Sequence, residues 1–274
     1  MQTQPDEDFD EIGVGGLRIA YRRAGQGPTI VFLHGFFGDS RVWRPQLDGL
    51  ADEFDVVAWD APGCGRSSDP PDSYRMPDYA DCLAGFIREL GLERPHLVGL
   101  SFGGALALEL YRRHPMVPRT LVLAAAYAGW AGSLSRDVVE QRLEQSLRDL
   151  ELPVDQVVAK WIPGFLTDSA PPGVVEEVAA IISDFNPAGM SVIIRALAEA
   201  DLRDGLAHIA VTTLLLYGDK DVRAPLTVAE SLHGQIPTSR LVVIPGVGHL
   251  SNVEAAPRFN AEVRRFLQCL NAVG

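Results

Sequence analysis

Cysteine is scarce in this sequence, and its three positions lie far apart. Cys64, Cys82 and Cys269 form no C-x-x-C pair. Structural zinc sites and small disulfide-bonded folds both need more cysteines at closer spacing. The sequence therefore predicts neither a disulfide framework nor a metal site.

Positive charge is also in short supply. The formal net charge is −12 at pH 7, so the phosphates of a nucleic acid would be repelled unless a local basic patch overcame that field. The short basic pairs, Arg112 with Arg113 and Arg264 with Arg265, lie in helix-like segments and are interpreted as solvated faces. Neither G-x-G-x-x-G nor G-x-x-x-x-G-K-[ST] occurs, and the near match GCGRSS ends in serine. We expect no nucleic-acid partner and no nucleotide site.

Long hydrophobic runs are missing as well. The N-terminal stretch MQTQPDEDFDEI is acidic and has no apolar centre, unlike a secretory signal. The apolar run LVLAAAYAGWAG is shorter than the roughly 18 residues that a membrane span needs. These absences predict a cytoplasmic protein with no membrane partner, and they leave its oligomeric state open.

What the sequence does contain is a series of short apolar runs separated by segments with helical spacing. Apolar residues make up 47% of the 274 residues and charged residues 22%, as in globular proteins. Alternation of strand-like and helix-like segments is typical of an α/β fold with a mostly parallel sheet. The candidate strands are LRIAY, TIVFLH, VVAWD, HLVGL, TLVLAAA, TTLLLYG and RLVVIPG.

The region from residue 132 to residue 200 departs from this alternation. It contains the helix-like stretches SRDVVEQRLEQSLRDL and GVVEEVAAIISDF but no convincing strand, and prolines interrupt it repeatedly. Such a pattern predicts several short helices inserted into the α/β core. We therefore predict a core of residues 1–131 and 201–274 and a helical insertion of residues 132–200.

A serine between glycines follows the candidate strand HLVGL. The segment GLSFG fits G-x-S-x-G, in which small neighbours permit a strained turn and project the hydroxyl above the sheet edge. Ser101 lies between this strand and a helix-like segment. Its placement favours a nucleophile over the alternative, a serine that caps the helix.

A serine hydroxyl needs a base to accept its proton, and the base needs an acid to orient it. His249 follows the strand RLVVIPG at the edge where Ser101 is expected, whereas His34 is interpreted as part of a loop. The segment LLLYGDKD offers two acids. We favour Asp221, which lies further into the loop, over Asp219, which can simply bond turn amides.

Negative charge that develops on a substrate carbonyl needs preorganised donors. The backbone N–H of Phe102, directly after Ser101, is one candidate. The N–H of Phe36, in the loop HGFFG, is the second, with that of Phe37 as an alternative. The other interpretation of HGFFG is an ordinary turn that contains glycine.

Five motifs occur in one order along the chain: HGFFG, DAPGCGRS, GLSFGG, GDKDVRAP and GVGH. Together they resemble the α/β-hydrolase superfamily, and within it the small bacterial esterases, lactonases and enol-lactone hydrolases. The resemblance spans nearly the whole chain. It implies a mostly parallel sheet flanked by helices, a helical cap after the sixth strand, the triad order Ser101, Asp221, His249, and no metal or organic cofactor.

The serine separates this chain from relatives with the same fold. Haloalkane dehalogenases and epoxide hydrolases use an aspartate at this position, so Ser101 implies acyl transfer instead. Asp60, in DAPGCGRS, is another carboxylate at a strand end. We expect it to accept hydrogen bonds from backbone amides rather than to act in catalysis.

The predicted substrate is a small or medium-sized, partly apolar ester or lactone. Apolar residues in HGFFG and the helical region form either the lining of an acyl pocket or the core of the insertion itself. The candidates are Phe37, Trp130, Trp161, Phe165, Phe185 and Met190. Two other functions stay open: a carbon–carbon bond hydrolase of the meta-cleavage product type, and a ligand-binding receptor that turns over slowly.

Overall fold

A computed structural model describes residues 9–271, and their centre is an eight-stranded sheet. The strands are β1 (Asp10–Val14), β2 (Leu17–Ala24), β3 (Thr29–Leu33), β4 (Asp55–Trp59), β5 (His96–Leu100), β6 (Thr120–Ala124), β7 (Thr213–Gly218) and β8 (Ser239–Ile244). They lie in the order β1-β2-β4-β3-β5-β6-β7-β8. From β4 to β8 every neighbouring pair is parallel, and β1 and β2 pair antiparallel at one edge. The expected mostly parallel sheet is confirmed.

All seven strands predicted from sequence are present, with small differences at their ends, but the patterns above do not predict β1. Its sequence DEIGV is largely exposed and contains only two large apolar residues, Ile12 and Val14, so it gives a weak hydrophobic signal. Gly15 and Gly16 join it to β2 with φ values of +58° and +87°. A glycine pair with positive φ at both positions favours a two-residue hairpin, and this pair is the signal for β1. Residues 1–8 of the acidic N-terminal stretch lie outside the described residues.

Helices flank the sheet and cover its central strands. They are α1 (Arg44–Leu50), α2 (Met76–Glu89), α3 (Phe102–Arg113), α4 (Arg136–Asp149), α5 (Val154–Phe165), α6 (Pro172–Ser183), α7 (Pro187–Glu199), α8 (Arg203–Leu206), α9 (Leu226–Gln235), α10 (Ser251–Glu254) and α11 (Ala256–Asn271). Helix α2 packs against α3, and α1 packs against α11. Strands β4, β5, β6 and β7 are buried from end to end, as expected for parallel strands covered by helices.

Of the five helices between β6 and β7, the first four, α4 to α7, lie where the insertion is expected. Helix α4 packs against α7 and α5 against α6, while α7 also contacts α2 and α3. Ion pairs add to this packing: Arg41 lies 2.7 Å from Asp184, and Arg75 lies 2.8 Å from Glu199. Exposed ion pairs contribute little to stability, so the apolar contacts of α7 are the main attachment.

A helix that spans a membrane must be both long and apolar. Among residues 9–271, no single helix is both long and apolar enough to cross a membrane. Helices α6 and α7, which meet at a bend of 98°, are together long and apolar enough, by length and composition only.

The junction between β5 and α3 is built from closely packed backbone. A Cβ at Gly99 would lie 2.2 Å from the carbonyl oxygen of Gly103, and a Cβ at Gly103 would lie 2.1 Å from that of Leu33. No side chain fits at these positions unless the backbone moves. Both glycines of G-x-S-x-G are therefore needed for α3 to begin directly against β3 and β5, with Ser101 between them.

We expect Gly103→Ala to lower the free energy of unfolding by about 1–3 kcal/mol, since the added methyl group overpacks a backbone contact. Gly234→Ala is the matched control, because it adds the same group to α9 where no atom lies within 4 Å of the new Cβ. That variant should be neutral or more stable by up to about 1 kcal/mol. Urea unfolding of both variants measures the difference, and equal stability would contradict the packing described.

Candidate active site

Ser101 occupies the turn between β5 and α3 in a conformation that few serines adopt. Its φ is +52° and its ψ is −108°, and such strain persists only where the surrounding structure enforces it. Its N–H donates to the carbonyl oxygen of Ala124, at the end of β6, over 2.9 Å. Ser101 holds the N-cap position of α3, yet its side chain makes no capping hydrogen bond. The helix-capping interpretation therefore lacks its defining contact.

The imidazole of His249 is held by the carboxylate of Asp221. The two side chains are almost fully buried, and Nδ1 of His249 lies 2.8 Å from Oδ2 of Asp221. The other carboxylate oxygen accepts hydrogen bonds from the backbone N–H groups of Arg223 and Ala224, at 2.8 and 2.9 Å. Because the ionised carboxylate can only accept, Nδ1 of the neutral ring carries the proton and Nε2 is left as an acceptor.

Asp219 makes a different contact. Its Oδ1 accepts a hydrogen bond from the backbone N–H of Gly246 over 2.6 Å, in the turn after β8. Bonding to turn amides is the role that the sequence analysis suggested for Asp219 as the alternative to orienting the base. The structure thus brings Asp221, and not Asp219, to the imidazole of His249.

The loop that carries His249 is attached to the end of α5. Glu254 accepts a hydrogen bond from the N–H of the residue before His249, over 2.8 Å, and others from the N–H and hydroxyl of Thr167. The N–H of Leu250 donates to the carbonyl oxygen of Phe165 over 3.1 Å. The Phe165 ring also stacks on the imidazole, with ring centroids 5.8 Å apart and planes at 18°. Sequence patterns give no sign of Glu254, because one of its two partners is 87 positions away.

Two backbone N–H groups belong to residues close to Ser101. Phe102 is the first residue of α3, and Phe36 lies in the loop after β3. This loop touches the serine, since a Cβ at Gly35 would lie 3.3 Å from the Cβ of Ser101. Among residues 9–271 neither N–H has a protein acceptor. Free N–H donors near a helix N-terminus are suited to stabilising negative charge.

His34 and Asp60 form hydrogen bonds with backbone groups of the loops near Ser101. The Nε2 of His34 accepts a hydrogen bond from the N–H of Ala61 over 3.0 Å, so its Nδ1 carries the proton and donates to the carbonyl oxygen of Gly35 over 2.9 Å. Asp60 accepts from two backbone N–H groups at 2.7 and 2.8 Å. The loop role predicted for His34 and the amide-bonding role predicted for Asp60 are both confirmed.

Ser101 and His249 line one open cavity with a volume of about 480 Å³. Phe36 lines it too, so the candidate nucleophile, base and oxyanion loop border the same space. Of the six apolar residues considered from sequence, Trp130, Trp161 and Phe165 line this cavity.

The other three, Phe37, Phe185 and Met190, do not line it, which corrects the sequence-based prediction. Phe37 is buried and borders a separate cavity of about 20 Å³. Phe185 packs edge-on against Phe37, with ring centroids 5.0 Å apart. Met190, in α7, is fully buried. These side chains are part of the core that joins the insertion to the sheet, because apolar contacts with neighbouring side chains exclude them from the cavity.

Part of the cavity wall is polar, which the sequence analysis missed. Arg142, Lys160 and Arg223 line it together with Asp149. The guanidinium carbon of Arg223 lies 3.9 Å from the centre of the Trp161 ring. Burial, together with the positive charge of Arg142, lowers the pKa of Arg223 to about 10. Within the described chain, no group of three or more His, Cys, Asp or Glu side chains is placed to hold a metal ion.

Comparisons with known proteins agree on one family. Residues 30–262 match the model of the Alpha/beta hydrolase family. A pimeloyl-[acyl-carrier protein] methyl ester esterase from Vibrio parahaemolyticus is 30% identical over 258 residues, which cover 91% of this chain and 98% of the relative.

Solved structures agree with this match over almost the whole chain. A thermophilic esterase from Thermogutta terrifontis, solved with malate bound, is similar with a TM-score of 0.87 and 29% identity, over 95% of this chain and 98% of that one. An enol-lactonase from Burkholderia xenovorans is similar with a TM-score of 0.86 and 25% identity, over 94% of this chain and 100% of that one. With the family model matching most of its length, this chain belongs to the alpha/beta hydrolase family.

Proposed function

We propose that the protein is a serine hydrolase that cleaves a carboxylic ester or lactone through an acyl-enzyme on Ser101. The observation that carries this proposal is the buried hydrogen bond between Asp221 and His249, which leaves Nε2 of the imidazole as an acceptor in the tautomer that a general base needs. Ser101 borders the same cavity as this imidazole. The esterase and enol-lactonase among the similar proteins support the choice of substrate class.

In the first half of the reaction, Oγ of Ser101 attacks the substrate carbonyl carbon while Nε2 of His249 takes the hydroxyl proton. The carbonyl oxygen becomes an oxyanion, to which the N–H groups of Phe36 and Phe102 donate hydrogen bonds. Asp221 stays ionised and stabilises the imidazolium. The intermediate then collapses, the bond to the alcohol oxygen breaks, and His249 returns its proton to that oxygen.

In the second half, a water molecule attacks the acyl-enzyme and His249 accepts its proton. The same N–H donors stabilise the second oxyanion. Collapse of this intermediate releases the carboxylic acid and returns the proton to Ser101. For a lactone, the alcohol and the acid released are parts of one molecule.

The helices of residues 132–200 act as a cap over this chemistry. Trp161 and Phe165 of α5 line the cavity with Ser101, so the insertion is placed to limit access of water and to select the substrate. Water exclusion strengthens the hydrogen bonds to the oxyanion, since the local dielectric constant falls. Residues 1–131 and 201–274 supply the nucleophile, the base and the acid.

Ser101→Ala is the direct test of the nucleophile. We expect a folded protein that loses about 10⁴-fold or more of the turnover number, since the triad acts as a unit. Ser231→Ala, which removes an exposed hydroxyl from α9, should keep full activity. Hydrolysis is measured over a panel of esters, lactones and vinylogous diketone acids. Unchanged ester hydrolysis in Ser101→Ala would overturn the proposal, and turnover of the diketone acids alone would assign carbon–carbon bond hydrolysis.

The two aspartates after β7 should differ sharply in effect. Asp221→Asn removes the acceptor that fixes the tautomer of His249, so the turnover number should fall by about 10⁴-fold. Asp219→Asn changes only a contact with a turn amide and should cost activity less than about tenfold. Steady-state kinetics of both variants with one ester makes the comparison. A larger loss in Asp219→Asn than in Asp221→Asn would show that the acid is wrongly assigned.

A further inference from the structure

One side of the cavity carries two arginines next to a tryptophan. Arg142, Arg223 and Trp161 all line the cavity. The Nε1 of Trp161 and the Nε of Arg223 are buried and have no hydrogen-bond partner. These two atoms are closed to water and therefore also to a ligand in the cavity, so a ligand is expected to meet the positive charge of the two guanidinium groups rather than these two atoms.

Among the described residues, the two arginines on this wall are not ion-paired with the nearby carboxylates. Within the described residues, no carboxylate oxygen lies within 4 Å of the guanidinium groups of Arg142 or Arg223. Asp149, the one acidic side chain in the lining, is already paired with Lys160 over 2.6 Å. The charge of Asp221 acts on Arg223 from nearby. Both carboxylate oxygens of Asp221, however, already accept hydrogen bonds from other donors.

The known contacts of the two arginines do not make up for this lack of an anion. Arg142 donates to the hydroxyl of Tyr127 over 3.2 Å, which is a neutral acceptor. Arg223 lies over the rings of Trp161 and Phe165, at 3.9 and 4.7 Å. Stacking on aromatic rings stabilises a cation less than its removal from water destabilises it. The lowered pKa of Arg223 agrees with this, because burial and a second positive charge both disfavour its charged form.

We propose that the substrate of Ser101 carries a carboxylate group, and that Arg142 and Arg223 bind it while the reacting ester or lactone carbonyl lies at the serine. The inference rests on the proposed hydrolase function. A carboxylate has only acceptor oxygens, and the planar guanidinium group is suited to bind two of them at once. The substrate class is therefore a half-ester of a dicarboxylic acid, or a lactone with a free carboxylate, in a protein whose net charge is otherwise strongly negative.

The test uses pairs of substrates that differ in one charge. Monomethyl esters of the straight-chain dicarboxylic acids from succinate to suberate are each compared with the methyl ester in which the free carboxylate is replaced by a neutral carboxamide. We expect kcat/KM to be about 10- to 100-fold higher for the carboxylate at the best chain length. The preference should fall as ionic strength rises, because salt screens the attraction.

Arg142→Gln should reduce the carboxylate-to-carboxamide ratio of kcat/KM by about tenfold or more, and Arg142→Lys should retain part of it. Arg148→Gln is the matched control, because Arg148 is exposed on the same helix and pairs with Glu144. It should keep the wild-type ratio. Arg142 is the primary target, since Arg223 packs closely against Gly164 and the α5 rings and its replacement is expected to affect folding.

Binding to Ser101→Ala, measured by calorimetry with the same ester pairs, separates failure of this inference from failure of the proposed function. Tighter binding of the carboxylate esters, lost on adding Arg142→Gln, supports the anion site even where no ester is hydrolysed. Equal kcat/KM and equal Kd for both members of every pair would overturn the anion site while leaving the hydrolase function intact. An unchanged ratio in Arg142→Gln would overturn the role of that arginine.

Discussion

The hydrogen bond between Asp221 and His249 is the constraint on which the rest of the site depends. It exists because β7 and β8 run parallel and end side by side, with Gly218 opposite Ile244, so the loops that follow them meet at one edge of the sheet. A Cβ at Gly218 would lie 2.2 Å from the carbonyl oxygen of Val247, which shows how closely the second loop packs on the first strand. This packing fixes the orientation of the imidazole, with Nδ1 directed at the carboxylate of Asp221.

The helical insertion is attached to the loop that carries His249 and does not simply lie over it. Phe165 stacks on the imidazole of His249, and Glu254 links the loop before that histidine to Thr167. In our account, the helices that select the substrate therefore also hold the base. The unpaired arginines extend the same arrangement, because α4 and the loop after Asp221 each bring one guanidinium to the cavity.

The sequence predicted most of the sheet and much of the candidate site, because both depend on local patterns. Apolar runs mark the buried strands, and the glycines around Ser101 are required because an added Cβ would lie only 2.1 or 2.2 Å from a backbone oxygen. The hairpin strand β1 was not predicted because it is short, largely exposed and contains only two large apolar residues. Phe37, Phe185 and Met190 were misplaced because composition does not distinguish an aromatic residue that lines a cavity from one that fills a core.

The charged wall was missed for a related reason. Arg142 lies on an amphipathic helix whose other charged residues, apart from the buried Asp149, are exposed, and Arg223 lies in a loop. Only the assembled structure shows that both reach the cavity and that, among the described residues, no carboxylate forms an ion pair with either of them. Side chains whose function depends on partners distant in the chain carry no spacing that a single sequence can reveal.

The most direct test of the proposed mechanism is covalent labelling with a neutral alkyl fluorophosphonate, followed by peptide mass spectrometry. Attack by Oγ of Ser101 forms a phosphorus–oxygen bond and releases fluoride, and the activated serine should be the only one fast enough to react stoichiometrically. The account predicts one adduct per chain, on the peptide that contains Ser101, and none in Asp221→Asn at the same exposure. An adduct on another residue with Ser101 unmodified would contradict it.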